Sequence, residues 1–174
     1  MQKIANDELG RLSPSAFQHA SKFPFVLVLD QVRSHHNVGS VFRTADAFAA
    51  EQIFLCGFTP QPPHREIHKT ALGSENTVVW QHADSAEELV LSLKLQGYVI
   101  AVVEQTDKPT LLQQFELPSG KKVAFVFGNE ITGVSDEVVA LADICIEIPQ
   151  FGTKHSLNIS VAAAVVMWEF VRDR

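Results

Sequence analysis

The chain has 174 residues, 46% of them hydrophobic and 20% charged, with a formal net charge of −6. That is the size and mix of one soluble globular domain with a proper core, short of a comfortable second domain. An acidic total excludes a protein that grips nucleic acid with its whole surface, while leaving room for a local basic patch. In chain order, Ser13 reads as a cap followed by Pro14 at the first position of a short helix over 15–20. Residues 25–29 form a continuous apolar run ending at Asp30, the pattern of a strand buried on both faces. After a loop over 31–36 comes a helix over 37–50, with Asn37 as its expected cap. Val38, Val41, Phe42, Ala45, Phe48 and Ala49 fall within an arc of roughly 120° on that helix and form its core stripe.

Residues 52–56 predict a second strand, ended by Gly57. The segment 59–64 reads TPQPPH, a stiff surface loop that its prolines keep out of regular structure. A short helix over 64–72 closed by Gly73, a strand over 77–80 and a helix over 85–96 follow. A buried strand over 98–103 breaks at Glu104, Gln105 and Thr106, and 111–120 reads as a connector. The runs 123–127 and 144–148 are strands that stop at Gly128 and Pro149, with a helix over 134–142 between them, Ser135 being its expected cap. A last helix over 156–172 is apolar nearly all round. Its surplus apolar surface fits either a second subunit or complete enclosure within one chain.

Strands alternating with helices predict a mostly parallel sheet with helices on both faces. In such folds ligands sit outside the carboxyl ends of the strands, which points to the breaks at Gly128, at Pro149 and at Ser156-Leu157-Asn158. No basic-then-apolar leader follows Met1, and the longest apolar run, 161–168, is too short to span a bilayer. Cys56 and Cys145 lie in apolar runs without metal-type spacing and read as reduced thiols of a cytoplasmic protein. His64 and His68 stand four apart, but no third ligand accompanies them, so no metal site is expected. No glycine fingerprint follows the first strand, which argues against a nicotinamide-binding Rossmann protein.

Three motifs occur in order. They are Asn37-Val38-Gly39-Ser40-Val41-Phe42-Arg43-Thr44, then Phe127-Gly128-Asn129-Glu130 with Gly133 and Ser135, then Ile148-Pro149 with Ser156-Leu157-Asn158-Ile159-Ser160. Together they resemble the signature motifs of the SpoU (TrmH-type) RNA ribose 2′-O-methyltransferases of the SPOUT superfamily, over about residues 25–170. The resemblance implies an α/β domain over 25–174 with a C-terminal trefoil knot, preceded by a short helical extension over 1–24. It further implies S-adenosylmethionine as methyl donor, a homodimer, and an RNA partner (tRNA or rRNA) rather than DNA or a membrane. The alternatives are a base-nitrogen methyltransferase of the same superfamily and a non-catalytic RNA-binding module that retains the fold.

Site residues follow from the same match. Gly128, Ile148 and Leu157 correspond to cofactor contacts, with Val103, Glu104 and Thr106 a fourth, weaker contact at the strand break. Arg43, Asn37, Glu130, Ser156 and Asn158 correspond to the catalytic set, Glu130 and Asn37 being expected to position Arg43. Some accounts of the family make this arginine the general base. A guanidinium holds its proton in proteins, so a phosphate and alkoxide clamp is the more economical role. Ser156 serves equally as a helix cap, and Asn158 as a first-turn residue capping nothing in particular. Arg33, His35 and His36 beside the first motif, and His64, Arg65, His68 and Lys69 after the proline loop, form a local basic patch. Arg33, His36, Arg65 and Lys69 are its expected RNA contacts.

Overall fold

A computed structural model describes residues 1–173, with the backbone alone for residues 6 and 7; Arg174, the last residue of the expected domain, lies outside the described residues. Seven strands form one sheet: β1 (Phe23–Asp30), β2 (Ala50–Cys56), β3 (Trp80–Ala83), β4 (Tyr98–Val103), β5 (Thr110–Leu111), β6 (Lys122–Phe127) and β7 (Ile144–Glu147). Their order is β3-β2-β1-β6-β4-β7-β5, and every pairing is parallel. Six α-helices accompany them among the described residues: α1 (Pro14–His19), α2 (His35–Ala47), α3 (Arg65–Ala71), α4 (Ala86–Leu95), α5 (Asp136–Leu141) and α6 (Ile159–Val171).

The continuous apolar run of β1 serves two cores at once. Side chains alternate across a strand. Phe25, Leu27 and Leu29 therefore join α2, α3 and α6 in one core, while Val26 and Val28 join α4 and α5 in the other. Helices thus cover both faces, as the apolar pattern requires. Gly39 lets α2 and α3 approach closely, since a Cβ there would lie 2.2 Å from Thr70 Oγ1 and 2.3 Å from the Ile67 carbonyl oxygen.

Several boundaries differ from the sequence reading for local reasons. Ser34, not Asn37, caps α2, its Oγ accepting the Asn37 N–H at 3.2 Å, so the helix begins two residues earlier and Asn37 lies in its first turn. The same helix stops at Ala47, because Ala49 turns to φ +48° and Ala50 already belongs to β2. Residues expected as a strand over 77–80 instead follow a 3-10 turn, and β3 starts at Trp80, where it pairs with Ile53. Leu111, expected as the start of a connector, instead joins Thr110 in pairing with Ile146 and Glu147 as an edge strand too short for any periodicity to announce. Ser135 stands at the cap position of α5 but gives its hydroxyl to Asp30 at 2.7 Å rather than to the helix. Helix α6 starts at Ile159 and is capped by Asn158, whose Oδ1 accepts from the Ser160 N–H at 2.9 Å. Both expectations for Asn158 and Ser156 change accordingly: Asn158 is the cap, and Ser156 lies in the preceding loop. One face of α6 (Ala163, Val166, Met167, Phe170) is buried, whereas Val161, Val165 and Trp168 remain 48%, 37% and 55% exposed. Complete enclosure within one chain is therefore excluded for this helix.

Candidate active site

Because β6, β4 and β7 are adjacent and parallel, the loops that follow them leave the sheet at one edge. They enclose, with the start of α6, a cavity of about 480 Å³. Its walls include Val103 and Glu104 after β4, Gly128 to Gly133 after β6, Ile146 to Ile148 at the end of β7, and Ser156, Leu157 and Asn158 before α6. Of the expected cofactor contacts, Gly128, Ile148, Leu157, Val103 and Glu104 share this cavity. Thr106 is outside its walls, with its hydroxyl buried and unpartnered.

The loop after β6 is shaped by its own backbone. Asn129 and Gly133 exchange two N–H to carbonyl bonds of 2.9 Å each, and Asn129 Oδ1 accepts the Ile131 N–H at 2.8 Å. A Cβ on Gly128 would sit 2.0 Å from the Gly133 carbonyl carbon and 2.1 Å from Val134 N. The demand for glycine here comes from the chain folding on itself. Gly133 has φ +72°, and a Cβ there would meet Glu104 Oε2 at 2.2 Å. That oxygen accepts the Val134 N–H at 3.1 Å, so Glu104 fastens the loop after β4 to the loop after β6. Gln105 Nε2 donates to the His155 carbonyl at 2.7 Å and ties in the third loop.

Glu130 links this cavity to α2. Its Oε2 accepts the Arg33 N–H at 2.9 Å, and its Oε1 accepts the Ser34 N–H at 3.2 Å and the Asn37 side-chain amide at 2.9 Å. Asn158 Nδ2 then donates to Asn37 Oδ1 at 3.1 Å. Glu130, Asn37 and Asn158, one from each motif, thus form a continuous chain of side chains. Burial raises the Glu130 carboxyl, but these donors together outweigh it and hold it below the ordinary range.

Arg43 is placed differently from its motif partners. It is exposed, outside the cavity walls, and about 9 Å further along α2 than Asn37 at 1.5 Å per residue. Among the described residues neither Glu130 nor Asn37 hydrogen-bonds its guanidinium; they engage each other, Asn158 and the backbone of residues 33 and 34 instead. The expected role of that pair in positioning Arg43 is not visible as a direct contact. Ser156 lines the cavity and is exposed.

The basic patch divides in two. His36 and Lys69 both bind Glu66, at 2.9 Å and 2.7 Å, and the hydrogen bonds from Lys69 and then His36 draw the Glu66 carboxyl down to about 2. Arg33 and Arg65 are exposed and make no ion pair among the described residues. His64 packs its ring on His35, and His68 pairs with Glu75 at 2.5 Å. No group of three potential metal ligands occurs among the described residues.

The motifs gave no sign of two further residues. Asp30, only 2% exposed at the end of β1, accepts the Ser135 N–H and hydroxyl at 3.0 Å and 2.7 Å and so anchors the start of α5. Glu147 lines the cavity from β7. A carboxylate closing an apolar strand was the available signal for Asp30; for Glu147 the strand pattern offered none.

Comparison with known proteins agrees with this geometry. The family model described as the SpoU rRNA Methylase family matches residues 24–168. A tRNA (guanosine(18)-2′-O)-methyltransferase of Escherichia coli is 32% identical over 146 residues, 84% of this chain and 62% of that protein. The crystal structure of the Aquifex aeolicus TrmH/SpoU tRNA modifying enzyme superposes with a TM-score of 0.80 at 26% identity, covering 91% of this chain and 79% of that one. An AdoMet-bound rRNA methyltransferase from Sinorhizobium meliloti gives 0.81 at 28% identity, covering 94% and 61%. The chain therefore spans less than two thirds of the length of the Escherichia coli relative. With a match that runs through all three motifs and most of the domain, the protein belongs to the SpoU rRNA methylase family.

Proposed function

We propose that this chain transfers a methyl group from S-adenosylmethionine to a ribose 2′-hydroxyl in tRNA or rRNA. The observation that carries the reading is the Glu130–Asn37–Asn158 chain, which joins the three motifs around one cavity. The relatives named above as tRNA 2′-O-methyltransferase and AdoMet-bound rRNA methyltransferase support the same assignment.

The residues present suit the donor. The cavity volume lies in the range that small-molecule sites occupy, roughly 300–1,000 Å³. Its walls combine apolar Val103, Ile146, Ile148 and Leu157 with Glu104, Glu130 and Glu147, and among the described residues contain no lysine, arginine or histidine. Such a lining accepts an aromatic base and tolerates a cation. Once bound, the donor supplies an electrophilic methyl on a positively charged sulfur. The protein's task is then alignment and exclusion of water, with no need for a metal. Ile148, Leu157, Val103, Glu104 and Gly128 form the binding surface in this proposal. Glu130, Asn37, Asn158 and Ser156 set the rim where the ribose enters. Arg43 holds the neighbouring phosphate through its planar fork and steadies the oxygen as its proton passes to that phosphate or to water.

We further infer a homodimer and a cytoplasmic protein. Helices α2 and α6 run side by side, joined at Asn37–Asn158 and at Phe48–Trp168, whose rings are 6.0 Å apart. The uncovered stripe Val161, Val165 and Trp168 lies on this helix pair, as does exposed Arg43. A second subunit on that face would bury the stripe and carry Arg43 toward the partner's cavity. The expected C-terminal knot belongs to the same reading. Its support is that β4 lies between β6 and β7 in the sheet, so late segments surround an earlier one. We assign residues 25–174 to the methyltransferase domain and 1–24 to an extension, on the exposure of most of the latter.

The test is incubation of the purified chain with S-adenosylmethionine carrying a labelled methyl group and RNA from cells lacking the gene, followed by nucleoside analysis. Label in a 2′-O-methylnucleoside is expected. Label on a base nitrogen would replace the reading by base methylation, and cofactor binding failure by calorimetry would favour the non-catalytic module.

A further inference from the structure

The loops after β1 and β2 lie side by side and carry a surface that the reaction above does not use. They are stitched together at two points. Buried Thr59 accepts the Val32 N–H at 3.0 Å, and its hydroxyl lies 2.7 Å from the Cys56 carbonyl and 3.0 Å from that of Leu29. Further on, the rings of His35 and His64 stack with centroids 4.0 Å apart and planes 35° apart. Pro60, Pro62 and Pro63 restrict the chain between the stitches, so the whole rim is stiff. Phe58, next to Thr59, stands 58% exposed on it.

Each feature alone is ordinary, since single exposed aromatics are common. Their combination is not explained by packing. Phe58 neighbours Thr59, which is bonded to the residue before Arg33, and the stacked rings of His35 and His64 stand within two residues of Arg33 and Arg65, whose guanidinium groups make no ion pair among the described residues. Burial, with His64 close by, holds the His35 imidazole below its ordinary value and therefore neutral, so it offers a ring face rather than a charge. In a chain of net charge −6, the side chains of Arg33 and Arg65 offer a polyanion two points of attachment beside these rings. The rim also reaches the cavity, because the Arg33 N–H is bonded to Glu130 Oε2 at 2.9 Å and Glu130 lines the cavity wall.

We propose that Phe58 and the His35–His64 ring pair, flanked by Arg33 and Arg65, hold the unpaired nucleotides that adjoin the methylated one. This rests on the RNA reading above. The occupant is single-stranded RNA, because stacking on protein rings needs base faces that a duplex keeps to itself. The arginines then take the flanking phosphates, fixing the strand without reading its sequence.

The test uses the full chain and a short, unstructured, fluorescent RNA of mixed sequence. Titrations compare the native protein with Phe58→Ala and with His64→Asn, the latter removing the ring while keeping a capping oxygen for α3. Each variant is expected to bind the RNA roughly tenfold more weakly, with S-adenosylmethionine affinity unchanged by calorimetry. Equal RNA affinity in both variants would overturn the platform and leave the methyltransferase reading standing. A native chain that binds the cofactor but no RNA would overturn the RNA reading itself. Equal competition by duplex RNA, or dissociation of a dimer by Phe58→Ala in sedimentation, would also overturn the proposal.

Discussion

Asn37 and Asn158, 121 residues apart in the chain, meet amide to amide at 3.1 Å. The contact uses the one polar atom that each side chain has to spare, since Asn37 gives its amide nitrogen to Glu130 and Asn158 gives its oxygen to the start of α6. Ser34 caps α2 and frees Asn37, while Asn158 caps α6 with its oxygen and has its nitrogen to spare. Asn158→Ala removes both the cap and the bridge. The cap alone is worth about 1 kcal/mol, so a lowered melting temperature is expected together with weaker cofactor binding. Asn37→Ala, which removes no cap, is expected to melt near the native temperature yet lose roughly tenfold or more in turnover. Equal thermal losses in the two variants would show that the bridge is structural only.

Gly128→Ala tests the self-imposed constraint of the loop after β6. Its new methyl would overlap the Gly133 carbonyl, which is backbone and cannot swing aside. Overpacking of this kind costs typically about 1–3 kcal/mol. Denaturant melts should register that loss, and cofactor affinity should fall further because the displaced loop forms the cavity wall. A variant as stable as the native chain would mean that the loop relaxes freely.

Acid should release the Glu130 tether. Its carboxyl lies below the ordinary value of 4.5 in the folded chain, because the Arg33, Asn37 and Ser34 donors together outweigh burial. A group lowered by folding contributes stability that is complete above its unfolded value and disappears as pH falls through the folded one. The melting temperature of the native chain should therefore exceed that of Glu130→Gln at neutral pH, with the gap closing on acidification below the ordinary carboxylate range. A gap constant across that range would rule out the charged form as the source.

Arg43→Lys keeps the charge and loses the planar fork. If Arg43 clamps a phosphate and the reacting oxygen, turnover should fall by about a hundredfold or more while cofactor binding stays unchanged. Near-full turnover would refute the geometric role.

Trp168→Glu places a charge in the uncovered stripe of α6. Should that stripe be a subunit interface, sedimentation will find the native chain as a dimer and the variant as a monomer. The monomer is expected to retain its fold by circular dichroism, since Trp168 is 55% exposed within one chain. A native monomer would remove the dimer from the account.

The apolar runs 25–29, 98–103, 123–127 and 144–148 each became a strand because hydrophobic periodicity is a local property that burial on two faces writes directly into the chain. The same locality let Gly128, Ile148 and Leu157 be read as element ends, and they share one cavity. Cap choice was less legible, since Ser34 and Asn37, or Ser156 and Asn158, are equally good capping residues and only the geometry of the turn selects between them. The two-residue strand at Thr110 exists only through its partner β7.

By itself, then, the sequence determined the layered α/β class, the strand ends around the cavity and the motifs that mark the family, because each depends on residues close together along the chain. The tertiary structure alone decided that Glu130, Asn37 and Asn158 form one chain, that Arg43 stands apart from the cavity walls, and that His36 and Lys69 are engaged by Glu66 while the Arg33 and Arg65 side chains make no ion pair among the described residues. Those outcomes depend on which distant side chains packing brings within reach of a shared carboxylate or amide, and hydrogen-bond geometry at about 3 Å is set by packing that no local pattern records.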